Sequence, residues 1–332
     1  MIAAPQLSGA KVLVTGPAGQ IALPLAAYLA RDNEVWGISR FGDPAARQRV
    51  ESAGVTTRAI DLASGEFGDL PDDFDYVLHL ATFRQGGLDY DQAMRVNAEG
   101  THLLLQHCRR ATAALVMSTF EVYQPQLDPL HVYAETDPLG DSHSLFDPTY
   151  SVSKLAQEAV ARSCARALDL PVVIPRMNAS YGANGGLLTY HLDWMLAGSP
   201  VRVKWDPAMY SPIHQDDINE QVGALLGAAS VPATVVNWCG DEAVSAQEWC
   251  AHLAELTGVS ADIVVQEVPG GIRGIIGDTT ARAAITGPCR VSWRDGLAAL
   301  VRDRLGGPDG TSEGSQGIAG AAARLLDSFG NE

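Results

Sequence analysis

The 332-residue chain predicts an α/β fold, a doubly wound parallel sheet with a smaller C-terminal substrate lobe. Three observations lead there. KVLVTG, residues 11–16, is an apolar, β-branched run ending in glycine, and helically spaced apolar residues follow it at once in IALPLAAYLARD. Strand-like and helix-like patterns then alternate, which calls for right-handed crossovers and a sheet covered on both faces. After LPVVIPRM, residues 170–177, the rhythm loosens into segments containing Gly, Pro and Trp, where the second lobe begins.

Taken in order, EVWGIS (34–39) reads as the second strand and PAARQRVESAG as a charged helix. VTTRAIDL and FDYVLHLA (74–81) read as the next two strands. A long helix, DQAMRVNAEGTHLLLQHCRRA, leads to the strand ALVMSTF, and YSVSK (150–154) opens the helix before LPVVIPRM. TVVNWCG (234–240) reads as a strand returning to the sheet. SAQEWCAHLAELTG reads as a helix with Ser at its N-cap and Gly at its end. The organisation expected is a sheet domain over 1–176, a lobe over 177–305 with chain returning to the sheet, and a Gly/Ser-rich connector with a C-terminal helix over 306–332.

Composition narrows the function classes. With 46% hydrophobic and 19% charged residues the chain can build a sizeable core. A formal net charge of -16 and no basic stripe argue against nucleic acid as a partner. Apolar stretches are broken well before a membrane-spanning length and no signal-like start is present, so a cytoplasmic protein with no membrane partner is expected. Five scattered cysteines without a C-x-x-C pair and eight histidines without ligand spacing predict no metal site.

TGPAGQIA (15–22) stands where a dinucleotide fingerprint belongs, between the first strand and the first helix. Gly16 can turn sharply, Gly19 admits a pyrophosphate, and Ala22 lets the helix pack closely; Ala18, Gln20 and Ile21 complete the turn. Turn glycines alone would give the same pattern. The second strand ends in Ser39 and Arg40, where NAD enzymes place an acid on the ribose. A hydroxyl and a guanidinium suit a 2′-phosphate, so NADP is favoured over NAD.

These residues lie within a longer ordered series: TGPAGQIA, Asp61 with Leu62, HLA (79–81), VNAEGT (96–101), STFEVY (118–123), YSVSK, PRMNASYG (175–182) and SPIHQDD (211–217). In that order they resemble the extended short-chain dehydrogenase/reductase family, its NAD-dependent epimerase/dehydratase group, over roughly the first 300 residues. The resemblance implies a Rossmann NAD(P)-binding domain, a substrate lobe and a homodimer. It implies Tyr150 as acid/base, Lys154 on the nicotinamide ribose and lowering the phenol, and Thr119 steadying the substrate oxygen. Asp61 and Leu62 would flank adenine, Leu80, Ala81 and Thr82 the pyrophosphate side, and Pro175 and Asn178 the nicotinamide end; Asn97 and Ser118 join the cofactor contacts. Independently, a phenol working as a base near neutrality needs a nearby cation, and Lys at i+4 shares a helical face with Tyr.

The chain also departs from the family. Tyr210, Ser211 and Pro212 stand where nucleotide-sugar members carry charged residues, leaving Arg202, Lys204 and Arg273 as other candidates for a phosphate clamp. Trp194, Trp205, Tyr181, Tyr190 and Tyr210 fit either a stacking pocket or a lobe core. His214, Asp216 and Asp217 fit a helix start. A dehydratase is disfavoured because Phe120 separates Thr119 from Glu121. The leading expectation is an NAD(P)-dependent oxidoreductase acting on a small-molecule secondary alcohol or ketone. A sugar epimerase using the same residues and a non-catalytic NADP sensor are the alternatives.

Overall fold

The computed structural model describes residues 7–84, 88–142 and 147–305. The connector and helix expected over 306–332 lie outside the described residues. The first part of the chain runs β1 (Lys11–Thr15), α1 (Ala22–Leu29), β2 (Glu34–Ser39), α2 (Pro44–Ser52), β3 (Thr56–Ala59) and β4 (Tyr76–His79). Next come α3 (Tyr90–Met94), α4 (Gly100–His107), β5 (Ala113–Val116), β6 (Ser118–Thr119), β7 (Val132–Tyr133), α5 (Tyr150–Leu168) and β8 (Val172–Met177). Beyond β8 the chain forms β9 (Ser180–Gly182), β10 (Gly185–Gly186), α6 (Leu187–Leu196), β11 (Val201–Val203), β12 (Met209–Tyr210), β13 (Ile213–His214), α7 (Gln215–Gly227) and β14 (Thr234–Trp238). It closes with β15 (Val244–Ser245), α8 (Ala246–Thr257), β16 (Ile263–Val265), β17 (Gly274–Gly277), α9 (Thr280–Thr286) and α10 (Trp293–Leu305).

The main sheet is parallel, in the order β14-β8-β5-β4-β1-β2-β3, with β6 extending the line of β5 beside β8. This is the doubly wound sheet that the sequence predicts. Alternation along β1 explains its two covered faces: Val12 and Val14 pack with α1 and α7, whereas Leu13 packs with α4 and α5. The strand order reverses between β1 and β4, so the crevice at their carboxyl ends is the switch point at which such sheets bind ligands.

A separate core of Leu188, Leu192, Trp249, Cys250, Trp293 and Leu297 holds α6, α8 and α10 together as the second lobe. Tyr181 belongs to it, and Trp194 and Tyr210 pack against it. Those three aromatics therefore serve the lobe core. The helix read in SAQEWCAHLAELTG has the expected ends: Ser245 and Glu248 form a capping box, and Gly258 closes it at φ +73. His214 caps α7, while Asp217 accepts from the backbone N–H groups of Arg290 and Val291.

One expected helix is not regular. Between α3 and α4 the backbone widens into a π turn, Arg95–Glu99, centred on Asn97. Tertiary contacts account for the turn. Asn97 bonds both main-chain groups of Phe83 and the Ser153 hydroxyl, and a Cβ at Gly100 would press to 3.2 Å from Leu62 Cβ. Among the described residues no helix is long and apolar enough to cross a membrane, and no His/Cys/Asp/Glu group could hold a metal.

Candidate active site

The phosphate-side turn is built by close approach. Gly16 has φ +64, and a Cβ there would lie 2.9 Å from Ala81 Cα, so the loops after β1 and β4 can touch only with glycine at this position. Thr15 secures the junction: its hydroxyl accepts from Leu80 N (3.1 Å) and Ala81 N (2.9 Å) and meets His79 Nδ1 at 2.8 Å. His79 Nε2 meets the Thr101 hydroxyl at 2.8 Å, and burial pushes the imidazole down to about 3, so this is a neutral structural clamp.

Ala18 and Gly19 are exposed at the mouth of this turn. Ile21, the N-cap of α1, contributes no side-chain cap, so the first helical turn faces the crevice uncapped by any residue of its own. Gln20 and Ile21 also tie the turn to neighbouring segments: Asn184 donates to Gln20 O (2.5 Å), and Gln215, at the start of α7, donates to Ile21 O (3.4 Å). A glycine cradle with an uncapped helix N-terminus at the switch point fits a dinucleotide pyrophosphate.

The adenosine end is more open. Ser39 and exposed Arg40 close β2, and Asp43 is committed to capping α2, accepting from Ala45 N at 2.9 Å. Asp61 likewise caps a short turn by accepting from Ala63 N, while Leu62 is buried among Ile38, Ile60 and Leu104.

The reacting end gathers Thr119, Tyr150 and Lys154. The Thr119 hydroxyl accepts from Glu121 N (3.3 Å) and stands beside the Tyr150 phenol. Burial raises the phenol above its ordinary value, and the Arg84 charge and the Thr119 hydroxyl work against it. Lys154, 2% exposed, donates to Met117 O at 2.6 Å. The strand line breaks at Met117 between β5 and β6, which leaves that carbonyl for the amine. Burial pushes Lys154 down to about 7, against the Glu158 charge, which raises it.

Several expected cofactor contacts have their side chains engaged within the protein. Ser118 Oγ donates to buried Glu158 (2.5 Å), and Asn97 braces the Phe83 loop against α5. Thr82 is exposed and donates to Asn97 (3.4 Å), while Pro175 lies inside β8. Asn178 donates to Ile275 O (2.6 Å) and accepts from Ala179 N and Ser211 N, which is the turn-satisfying role open to an asparagine there. Of the candidate clamps, Arg273 stacks on Trp205 (4.1 Å) and donates to Leu127 O, whereas Lys204 Nζ lies 3.5 Å from Glu121 at the cleft.

Two groups escaped the sequence reading. Arg84, from the loop after β4, holds its guanidinium 5.0 Å over the Tyr150 ring and bonds Asp147 at 2.7 Å. Glu158, one turn after Lys154, is forked by Arg176 at 2.9 and 2.8 Å. The i+4 spacing of Lys154 and Glu158 could have flagged the second; nothing local flags the first.

The description of the family whose model matches residues 12–206 is "NAD dependent epimerase/dehydratase family". No curated protein matches the chain. Among solved structures, UDP-glucuronic acid 4-epimerase from Bacillus cereus in complex with UDP-glucuronic acid and NAD is similar with TM-score 0.76 and 24% identity, over 89% of this chain and 100% of that one. MoeE5 in complex with UDP-glucose and NAD is similar with TM-score 0.70 and 25% identity, over 89% and 100%. dTDP-glucose 4,6-dehydratase from Bacillus anthracis in complex with NAD is similar with TM-score 0.75 and 19% identity, over 90% and 97%.

Proposed function

The chain belongs to the NAD-dependent epimerase/dehydratase family, and from that premise we propose that it is an NAD(P)-dependent epimerase inverting a secondary hydroxyl of a sugar-like substrate. One observation carries the chemistry: the Tyr150 phenol stands beside the Thr119 hydroxyl, which favours its anion, at the switch-point mouth, with buried Lys154 one helical turn on. The family description and the epimerases among the similar structures support inversion over the net oxidation favoured by the residues alone. Phe120 between Thr119 and Glu121 continues to count against dehydration.

The bound dinucleotide supplies the hydride-accepting ring. Tyr150 takes the proton of the substrate hydroxyl as the carbon is oxidised and returns it to the same oxygen as the carbon is reduced. Thr119 holds that oxygen throughout, so the alcohol and the ketone are fixed at one point while the other face of the carbon is presented. Lys154, anchored on Met117 O, presents its amine beside this path. Lys204, just after β11, and Glu121, in the turn after β6, pair at the cleft, and we assign them to the substrate's polar groups.

The test is stereoisomer interconversion. Purified protein given UDP-hexoses and UDP-hexuronic acids is expected to equilibrate one such pair with no net gain of reduced nucleotide. Stoichiometric accumulation of reduced nucleotide and a ketone would instead restore the dehydrogenase reading.

Arg40 carries a second, separable expectation. A charge-assisted hydrogen bond to a 2′-phosphate contributes about 1.5–3 kcal/mol, so Arg40→Ala should weaken NADP(H) by roughly tenfold or more. NAD(H), lacking that phosphate, should change less than about twofold by calorimetry. Equal weakening of all four nucleotides would place Arg40 elsewhere.

A further inference from the structure

We propose that Arg84, leashed by Asp147, is the positioning cation of the acid/base, stabilising the Tyr150 phenolate from the face of its ring. The inference rests on Tyr150 being the proton-transfer group of the function proposed above.

The geometry is specific to the ring. The guanidinium carbon lies 5.0 Å from the Tyr150 ring centroid, within the range at which a cation and an aromatic face attract. Its Nε donates to Asp147 Oδ2 at 2.7 Å, and Tyr150 N donates to Asp147 O at 3.0 Å. The leash therefore grows from the first turn of the helix that carries the tyrosine. Arg84 itself comes from the loop after β4, on the switch-point side. A surface ion pair would account for the contact with Asp147, but not for a guanidinium seated over the ring.

A cation there does more for the anion than for the neutral phenol. The neutral ring offers only its quadrupole, whereas the phenolate adds a full opposite charge that the Arg84 charge favours. Lys154, the cation named by the YSVSK spacing, is less suited to that task in this site. Its amine is committed to Met117 O at 2.6 Å, and burial pushes it down to about 7, so near neutrality it is only partly charged. A guanidinium keeps its charge across the whole working range.

The groups facing the phenol come from four elements. Burial raises Tyr150; Arg84 and the Thr119 hydroxyl of β6 lower it; Glu121, in the turn after β6, and Asp147 raise it. Arg84 is the largest of the lowering influences.

The test reads the phenol directly. With difluorotyrosine placed at position 150, its lower intrinsic pKa keeps the titration where the fold survives, and fluorine NMR of the nucleotide-loaded protein reports one midpoint. Arg84→Met is expected to move that midpoint up by roughly one pH unit or more, and Arg84→Lys to keep it nearer the parent. Thermal melts of each variant verify the fold, which a side chain 61% exposed should not endanger. A midpoint unchanged by Arg84→Met overturns the proposal. Isomer interconversion separates the two readings: a shifted midpoint without interconversion by the natural protein sinks the function and spares Arg84, and an unshifted midpoint with interconversion does the reverse.

Discussion

Tyr150→Phe is expected to lower isomer turnover by about a thousandfold, within the 10²–10⁴ range of positioned acid/base groups, while nucleotide affinity changes less than about twofold. The substitution removes one oxygen. The phenylalanine ring retains its place at the start of α5 and its stacking under Arg84, so neither the fold nor the pyrophosphate turn at Gly16–Gly19 has reason to move. What is lost is the atom that exchanges a proton with the substrate oxygen held by Thr119. The same change removes the phenol oxygen beside Thr119, so part of the loss is poorer positioning of the substrate oxygen. Initial rates at saturating substrate, with calorimetric nucleotide binding, check the expectation. A fall of less than about tenfold would move the proton transfer to another group, with Glu121, beside Lys204, the first candidate.

Much of this site could be read from the chain because its signals are local. KVLVTG followed by TGPAGQIA specifies strand, turn and helix through β-branching, two glycines and a small alanine, and the structure places Gly16 where a side chain would strike Ala81. The capped helix after Ser245 was legible for the same reason, since capping boxes and terminal glycines act within four residues. The π turn was not legible. Its sequence has sound helix formers, and the distortion comes from Asn97 reaching two other segments. Ser118 and Asn178 show the converse error of proximity: each stands beside the site in sequence, yet their side chains face Glu158 and the backbone. Arg84 and the pairing of Glu158 with Arg176 were missed because they depend on which loop and strand arrive beside α5, information that resides in the sheet order.

That sheet order underlies the second large effect. Arg176→Met is expected to destabilise the fold by about 3–5 kcal/mol, because it strands a buried carboxylate. Glu158 is 2% exposed and Arg176 1%, and their fork is completed by Ser118 Oγ at 2.5 Å and by Arg176 donating to Glu135 O at 3.1 Å. Tyr123 lies under the guanidinium, with its centroid 4.7 Å away. Removing the arginine leaves the buried Glu158 carboxylate with the Ser118 hydroxyl as its remaining hydrogen-bond donor. Replacing both members, Glu158→Leu with Arg176→Met, should cost less than either single change, since no charge is then left unpaired. Urea unfolding of the two singles and the double measures this, and a double variant as unstable as the sum of the singles would show that the pair acts independently. The pair also reaches the chemistry. Glu158 is the charge that holds Lys154 up against the burial that pushes it down to about 7, so the double variant should fold yet present a neutral Lys154 beside Tyr150. An ion pair that well-packed apolar residues could replace for stability thus has its negative end where it raises the neighbouring amine against burial.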